Sequence, residues 1–310
     1  MKNKVTALLM IVLMIFLCGC SYNAPRKSDK LSIVCSIFAP YDFARQVAGD
    51  RAEVKMLLPT GVESHSYEPT PKDIIELEDC DIFFYVSEHT ETWVTQMTDA
   101  VNDILAVEIA DELGIEINGH EHHHGEEPHE EHEDGETDEH IWTNLEIAAK
   151  MVKCIAEKMG EADPENADFY NENAKEYVKK ILELRDDFSE LVKTSKRKEI
   201  ISGSRFAMKN FTHEFGLEYT AAFDSCVDNT EPSASVMAQI IDKIKADRLH
   251  VIFYEELTEP KIARAVSTET GVKMLLLHSC HNISSDEMKR GETYLSLMWQ
   301  NYYNLKEALN

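Results

Sequence analysis

From residue 31 onward, short apolar runs alternate with longer stretches whose apolar positions recur every three or four residues. Residues 31–37 (LSIVCSI) are apolar and β-branched, the pattern of a buried strand. A helix is predicted from Pro40 through Ala48, then a strand at 52–58 closed by Pro59-Thr60-Gly61. Pro71 suits the first turn of a helix running to about Asp79. A third strand follows at 81–86, a helix at about 91–103 and a short strand at 105–109. Strands joined by helices predict a parallel sheet covered on both faces.

Beyond residue 140 the period changes. Residues 144–160 place Ile147, Met151, Ile155 and Met159 on one helical face. Asp163-Pro164-Glu165 reads as an N-cap followed by proline at the first helical position. The helix it opens extends to about Lys193, roughly 45 Å at about 1.5 Å per residue, long enough to bridge two lobes. The alternation then resumes: strands at 199–202, 217–223, 250–254 and 272–278, and helices at 206–215, 233–246, 259–270 and 291–309. The predicted architecture is α/β, with two lobes, each a parallel sheet flanked by helices, joined by one long rigid helix. The boundaries are 31–160 for the first lobe, 161–195 for the linking helix and 196–310 for the second lobe.

Residues 119–140 break this pattern. GHEHHHGEEPHEEHEDGETDEH holds seven of the chain's thirteen histidines and ten acidic residues, with no Lys or Arg. Such a run buries no core and is expected to be a solvated loop. Its imidazoles, His120, His122, His123, His124, His129 and His132, together with the carboxylates, are ligands for borderline divalent cations. They make an auxiliary, metal-gathering loop. His120-Glu121 and His124 also match HExxH. That zinc-protease pattern needs a helix, which a low-complexity run flanked by Gly119 and Gly125 does not supply.

Net charge adds to this picture. At −26 over 310 residues, the chain is unsuited to nucleic acid and suited to attracting cations. At the N-terminus, Lys2 and Lys4 precede an apolar stretch at 5–17, too short to span a bilayer comfortably. Leu17-Cys18-Gly19-Cys20 resembles a bacterial lipobox. That resemblance implies cleavage before Cys20, residues 1–20 as signal peptide, lipidation of the Cys20 thiol, and a tether at 21–30. Seven cysteines without a CxxC pair give no support to a zinc ribbon. Cys35, Cys80 and Cys154 fall in apolar-patterned segments, where a buried thiol is expected.

Ligands of α/β sheets bind beyond the C-terminal ends of the strands. His65, His278 and His281 follow predicted strands, and His140 precedes the 144–160 helix. Their shared placement on sheet-mouth loops points to one metal site.

The segments IVCSIFAPYDFARQVAGD, LLPTGVESHSYEPTPKDI, DEHIWTNLEIAAKM and ADPENADFYNENAKEY resemble the zinc- and manganese-specific solute-binding lipoproteins of ABC importers. The Pro-x-Gly-x-Glu-x-His-x-Tyr-x-Pro spacing at 59–69 is the most specific match. The resemblance covers nearly all of residues 31–310. It implies a two-lobed fold with metal in the cleft between the lobes, capture of Zn2+ and delivery to an ABC permease. It also implies a monomer, lipid-anchored on the extracytoplasmic face of the cell membrane, and no enzymatic step. His65 and His140 match the family's first two ligands. Its third histidine is absent: that place reads Ser202-Gly203-Ser204-Arg205-Phe206. In the family a fourth ligand, usually a carboxylate, follows the last strand, and His278 falls there. His281, water or a Cys280 thiolate are the alternatives, and an oxidising compartment favours a Cys226–Cys280 disulfide instead. A largely imidazole site suits Zn2+ over Mn2+. Three other readings are a binding protein for manganese or another divalent metal, a metal-buffering adhesin and a zinc hydrolase, with Glu63 or Glu255 as nominal base.

Overall fold

The computed structural model describes residues 30–101, 104–117, 138–223 and 234–310. The lipobox with Cys20, the histidines from His120 to His132, and Cys226 lie outside the described residues.

The first lobe holds β1 (Leu31–Cys35), α1 (Phe38–Ala48), β2 (Ala52–Met56), α2 (Pro71–Glu78), β3 (Ile82–Tyr85), α3 (Val94–Thr98), β4 (Leu105–Glu108) and α4 (Ile109–Glu112). Its strands pair in parallel in the order β2-β1-β3-β4. A 3-10 turn (Ile141–Thr143) leads into α5 (Leu145–Ala162), followed by α6 (Ala167–Thr194). The second lobe comprises β5 (Glu199–Ser202), α7 (Lys209–Phe215), β6 (Glu218–Ala221), α8 (Ala234–Asp247), β7 (Val251–Tyr254), α9 (Lys261–Thr270), β8 (Lys273–Leu276), α10 (Ser285–Arg290) and α11 (Tyr294–Leu309). Its sheet repeats the first lobe's arrangement, in the order β6-β5-β7-β8. The two parallel sheets and their flanking helices are the predicted fold.

The period-2 alternation sorts side chains between layers. Ile82 and Phe84 join a core continuous beneath both sheets, and Phe83 and Tyr85 face an outer layer with Trp93, Val94 and Met97. In the second lobe Phe253 joins the shared core, while Ile201 and Ile252 face Ile240, Ile244 and Val266. Helix α6 has 28 residues, about 42 Å of rise, and touches α1 in the first lobe and α7 and α11 in the second.

The helices differ from the prediction at three places. Asp163 caps no following helix. It is the C-terminal cap of α5, and its carboxylate accepts from Asn166 Nδ2 and Tyr170 Oη, both at 2.8 Å. Asn166 is the N-cap residue of α6. The helix predicted at 91–103 is the five-residue α3. Its expected first residue, Glu91, turns its carboxylate inward to accept from Ser36 Oγ (2.6 Å), Val86 N and Ser87 N. Helix α10 was not anticipated, although its Ser284–Glu287 capping box is a sequence signature.

Candidate metal centre

Because every strand in both sheets is parallel, all the C-terminal ends of a lobe open on one edge. The loop after β2 carries His65, the segment before the 3-10 turn carries His140, and the loop after β8 carries His281. The structure brings these three together. One ring nitrogen from each lies within 4.8 Å of the others. Ring centroids are 6.0 Å apart for His65–His140, 5.0 Å for His65–His281 and 5.3 Å for His140–His281. Trp142 walls the cluster, its ring 5.3 Å from that of His140 and 5.1 Å from that of His281. Its indole N–H is spent on Ser279 O at 2.8 Å, so the wall is fixed.

Two of the three histidines are oriented by a neighbouring side chain. His140 Nδ1 lies 2.8 Å from Asp138 Oδ1. His281 Nε2 lies 2.6 Å from Ser64 Oγ, a contact from the second lobe to the first. Asn282 Nδ2 donates to Pro59 O and Val62 O at 2.9 and 2.7 Å, and Gly61 N donates to Ile283 O at 2.9 Å. The His281 loop is thus stitched to the first lobe, and the cleft between the lobes is narrow.

Burial sets the electrostatics. Desolvation, then the adjacent His140, lower the His65 pKa to about 4. Desolvation, then His65 and His140, hold His281 well below the usual imidazole range. Burial raises the Asp138 carboxyl, but the charge and hydrogen bond of His140 outweigh it and leave it below its ordinary value. Desolvation, then Glu256, push Glu255 up to about 8. His65 and His281 are therefore neutral imidazoles at neutral pH, the form that binds metal.

His278 is not brought into the cluster. Cys280, at φ 60°, takes a left-handed conformation between the two histidines. His278 is buried elsewhere, and its Nδ1 accepts the Cys280 N–H at 2.9 Å. Its Nε2 stands 3.9 Å from Glu287 Oε1, and Asn301 brackets its backbone with two 2.8 Å hydrogen bonds. Burial opposes protonation of His278, but Glu256 and Glu287 outweigh it and raise its pKa. The thiol of Cys280 is free and fully buried.

The place of the absent third histidine is filled by packing. A Cβ on Gly203 would sit 2.7 Å from Ala263 N, so α9 approaches too closely for any side chain. Ser204 Oγ accepts from Glu255 N at 3.3 Å, and Arg205 reaches Glu63 across the cleft at 3.9 Å. Glu63 also caps its own turn, accepting from His65 N and Ser66 N.

The family model of the periplasmic zinc-uptake complex component A matches residues 33–308. The high-affinity zinc uptake system protein ZnuA of Bacillus subtilis is 34% identical over 302 residues, 96% of this chain and 94% of that one. The zinc-binding lipoprotein AdcA of Streptococcus pneumoniae is 30% identical over 99% of this chain, which spans 61% of AdcA. The Zn(II)-bound ZnuA-like domain of that AdcA superposes with a TM-score of 0.75 at 28% identity, covering 90% of this chain and 99% of the domain.

Proposed function

The chain belongs to the family of the periplasmic zinc-uptake complex component A, and from that membership we propose that it is an extracytoplasmic receptor that captures Zn2+ between its lobes and hands it to an ABC permease. The observation that supports the cleft as the capture site is the convergence of His65, His140 and His281 from three separate loops. Three imidazoles favour zinc over harder cations such as Mn2+ and Ca2+. Ligands on loops anchored by rigid strands need little ordering on binding, which supports high affinity. Helix α6 serves as the spine between lobes 31–160 and 196–310.

The family is one of solute-binding receptors, and the chemistry here is binding and release. Glu63, a nominal hydrolytic base, is committed to backbone N–H groups of its own turn. Lipidation at Cys20 would hold the receptor at the membrane beside its permease, with 21–30 as tether and the monomer as working unit. Each acyl CH2 buried contributes about 0.8 kcal/mol to that anchoring. His120 to His132 gather zinc weakly and supply the cleft.

Zinc titration of the full chain, read by competition with a chelator of known affinity, tests the receptor reading. One tight equivalent is expected, and it is lost in His65→Ala. A tight equivalent that survives both His65→Ala and His281→Ala rules the cleft out.

A further inference from the structure

His140 belongs to the first lobe in sequence, yet its segment is gripped from the second. We propose that Asn210 and Glu214, one turn apart on α7, are positioning residues that set the His140 imidazole for zinc, a role that rests on the three-histidine reading of the cleft. Asn210 Nδ2 donates to Asp138 O at 2.8 Å, just before His140. Just after it, at the start of α5, Glu214 Oε2 accepts from Leu145 N at 2.6 Å and Glu214 Oε1 from Glu146 N at 3.4 Å. One face of a second-lobe helix thus holds the chain on both sides of a first-lobe ligand.

Between the two grips the segment is short and stiff. Residues 141–143 form the 3-10 turn, which packs against α7. His140 O accepts from Thr143 N at 3.1 Å and from Thr143 Oγ1 at 2.8 Å. A shift at either end therefore reaches the imidazole instead of being absorbed. Glu214 also completes the start of α5. Asn144 Oδ1 takes Ile147 N at 2.9 Å, and the glutamate takes Leu145 N and Glu146 N, donors that a helix start leaves without intrahelical acceptors. Burial pushes the Glu214 carboxyl up to about 7, against the pull of those N–H groups and Arg185. Either protonation state keeps an accepting oxygen, so the grip is one of hydrogen bonding. Helix α7 is itself firmly seated: Phe211 is fully buried, its ring 5.0 Å from that of Phe188 on α6.

The arrangement is reciprocal. His281 is carried by a second-lobe loop, and that loop is stitched to the first lobe through Asn282 and Ile283. Each lobe positions a ligand that the other lobe's chain carries. Parting the lobes thus dismantles the ligand set, and the seating of α7 sets how well His140 is aimed.

The test compares the full chain with Asn210→Ala, Glu214→Ala and Glu214→Gln, the last keeping an acceptor oxygen in nearly the same shape. Zinc affinity is read by chelator competition, and the ligand field by the visible absorption of the Co2+-loaded protein. Asn210→Ala and Glu214→Ala are each expected to weaken zinc roughly tenfold, the lower end of what partners behind a ligand contribute, and to shift the Co2+ bands. Glu214→Gln is expected to stay closer to the parent. Repeating both alanine changes in a His140→Ala background separates positioning from general loosening, because residues that act through His140 lose their effect once it is gone. There each change is expected to alter the residual affinity by less than about twofold. Parent-like affinity with unchanged Co2+ bands overturns the role of the residue concerned, and so does a tenfold loss that persists without His140. In either case, if His65→Ala still abolishes tight binding, the receptor reading stands. If His65→Ala keeps the tight equivalent, the three-histidine reading fails with it.

Discussion

The Asp138 carboxylate lies 2.8 Å from Nδ1 of His140 and also accepts the His140 backbone N–H at 3.0 Å. The first contact places the imidazole proton on Nδ1 and the lone pair on Nε2, toward His65 and Glu139. A carboxylate behind a ligating histidine fixes its tautomer and raises its basicity. Asp138→Asn should therefore weaken zinc binding by about tenfold or more while leaving the metal-free fold intact. Chelator competition measures the first effect and thermal unfolding without metal the second; unchanged affinity would show that the tautomer is set elsewhere.

His281 and His278 separate binding from stability. His281→Ala removes a cleft imidazole and should cost at least tenfold in zinc affinity, about 1.4 kcal/mol. His278→Ala instead empties a buried site between Glu256 and Glu287. It should destabilise the metal-free protein by about 2–3 kcal/mol, visible as a lower Tm, with zinc affinity changed less than in His281→Ala. The reverse pattern would return His278 to the ligand set.

The contrast between these two histidines marks what the sequence conveyed. Both follow the last strand, so position alone makes them equivalent. What separates them is the turn at Cys280, and nothing in Ser279-Cys280-His281 announces a positive φ. The strands were legible because burial on both sheet faces leaves β-branched and aromatic runs, as in Ile82–Tyr85. Asp163 was misread because Asp-Pro fits a helix start as well as it fits the junction between α5 and α6. Asp138 was invisible for another reason: among the ten acidic residues of the His-rich segment, composition cannot single out the one that backs His140.

The pH response follows from burial. Free imidazole titrates near 6.5, whereas desolvation holds His65 at about 4. Between these values His65 stays unprotonated, and zinc need displace no proton from it. Tight binding should be nearly flat from pH 7 to about 5 and collapse as pH falls toward 4, whereas solvated histidines lose metal through about 6.5. For the metal-free protein, the unfolded chain binds more protons than the folded cleft across this window. His65 and His281 therefore make stability fall as pH drops from 6.5 toward 4. The raised pKa of His278 acts oppositely, its contribution being lost as pH rises. Titrations at pH 7, 5.5 and 4.5 check the binding claim; loss of the tight equivalent already at pH 6 would contradict it.

Anchoring is tested independently of metal. Cys20→Ala protein should lose its lipid by mass spectrometry and move from the membrane to the soluble extracytoplasmic fraction. If it stays with the membrane, and the parent carries no lipid, the lipobox reading is wrong.

The His-rich run and the cleft meet at Asp138, and the boundary between them is a prediction in itself. The composition of the run predicts a solvated loop, whose many ligands would be ordered at each binding event, an entropic cost that the loop-anchored cleft residues largely avoid. Deleting residues 119–136 should abolish the weak zinc equivalents and spare the tight one. A deletion only two residues longer, 119–138, removes the carboxylate that orients His140 and should loosen the tight equivalent about tenfold, although all three cleft histidines remain. Zinc titration of the two deletions side by side, at pH 7, reads both effects. Loss of the tight equivalent in the shorter deletion would make the run itself the principal site. Equal tight binding in both would show that Asp138 contributes nothing to the metal.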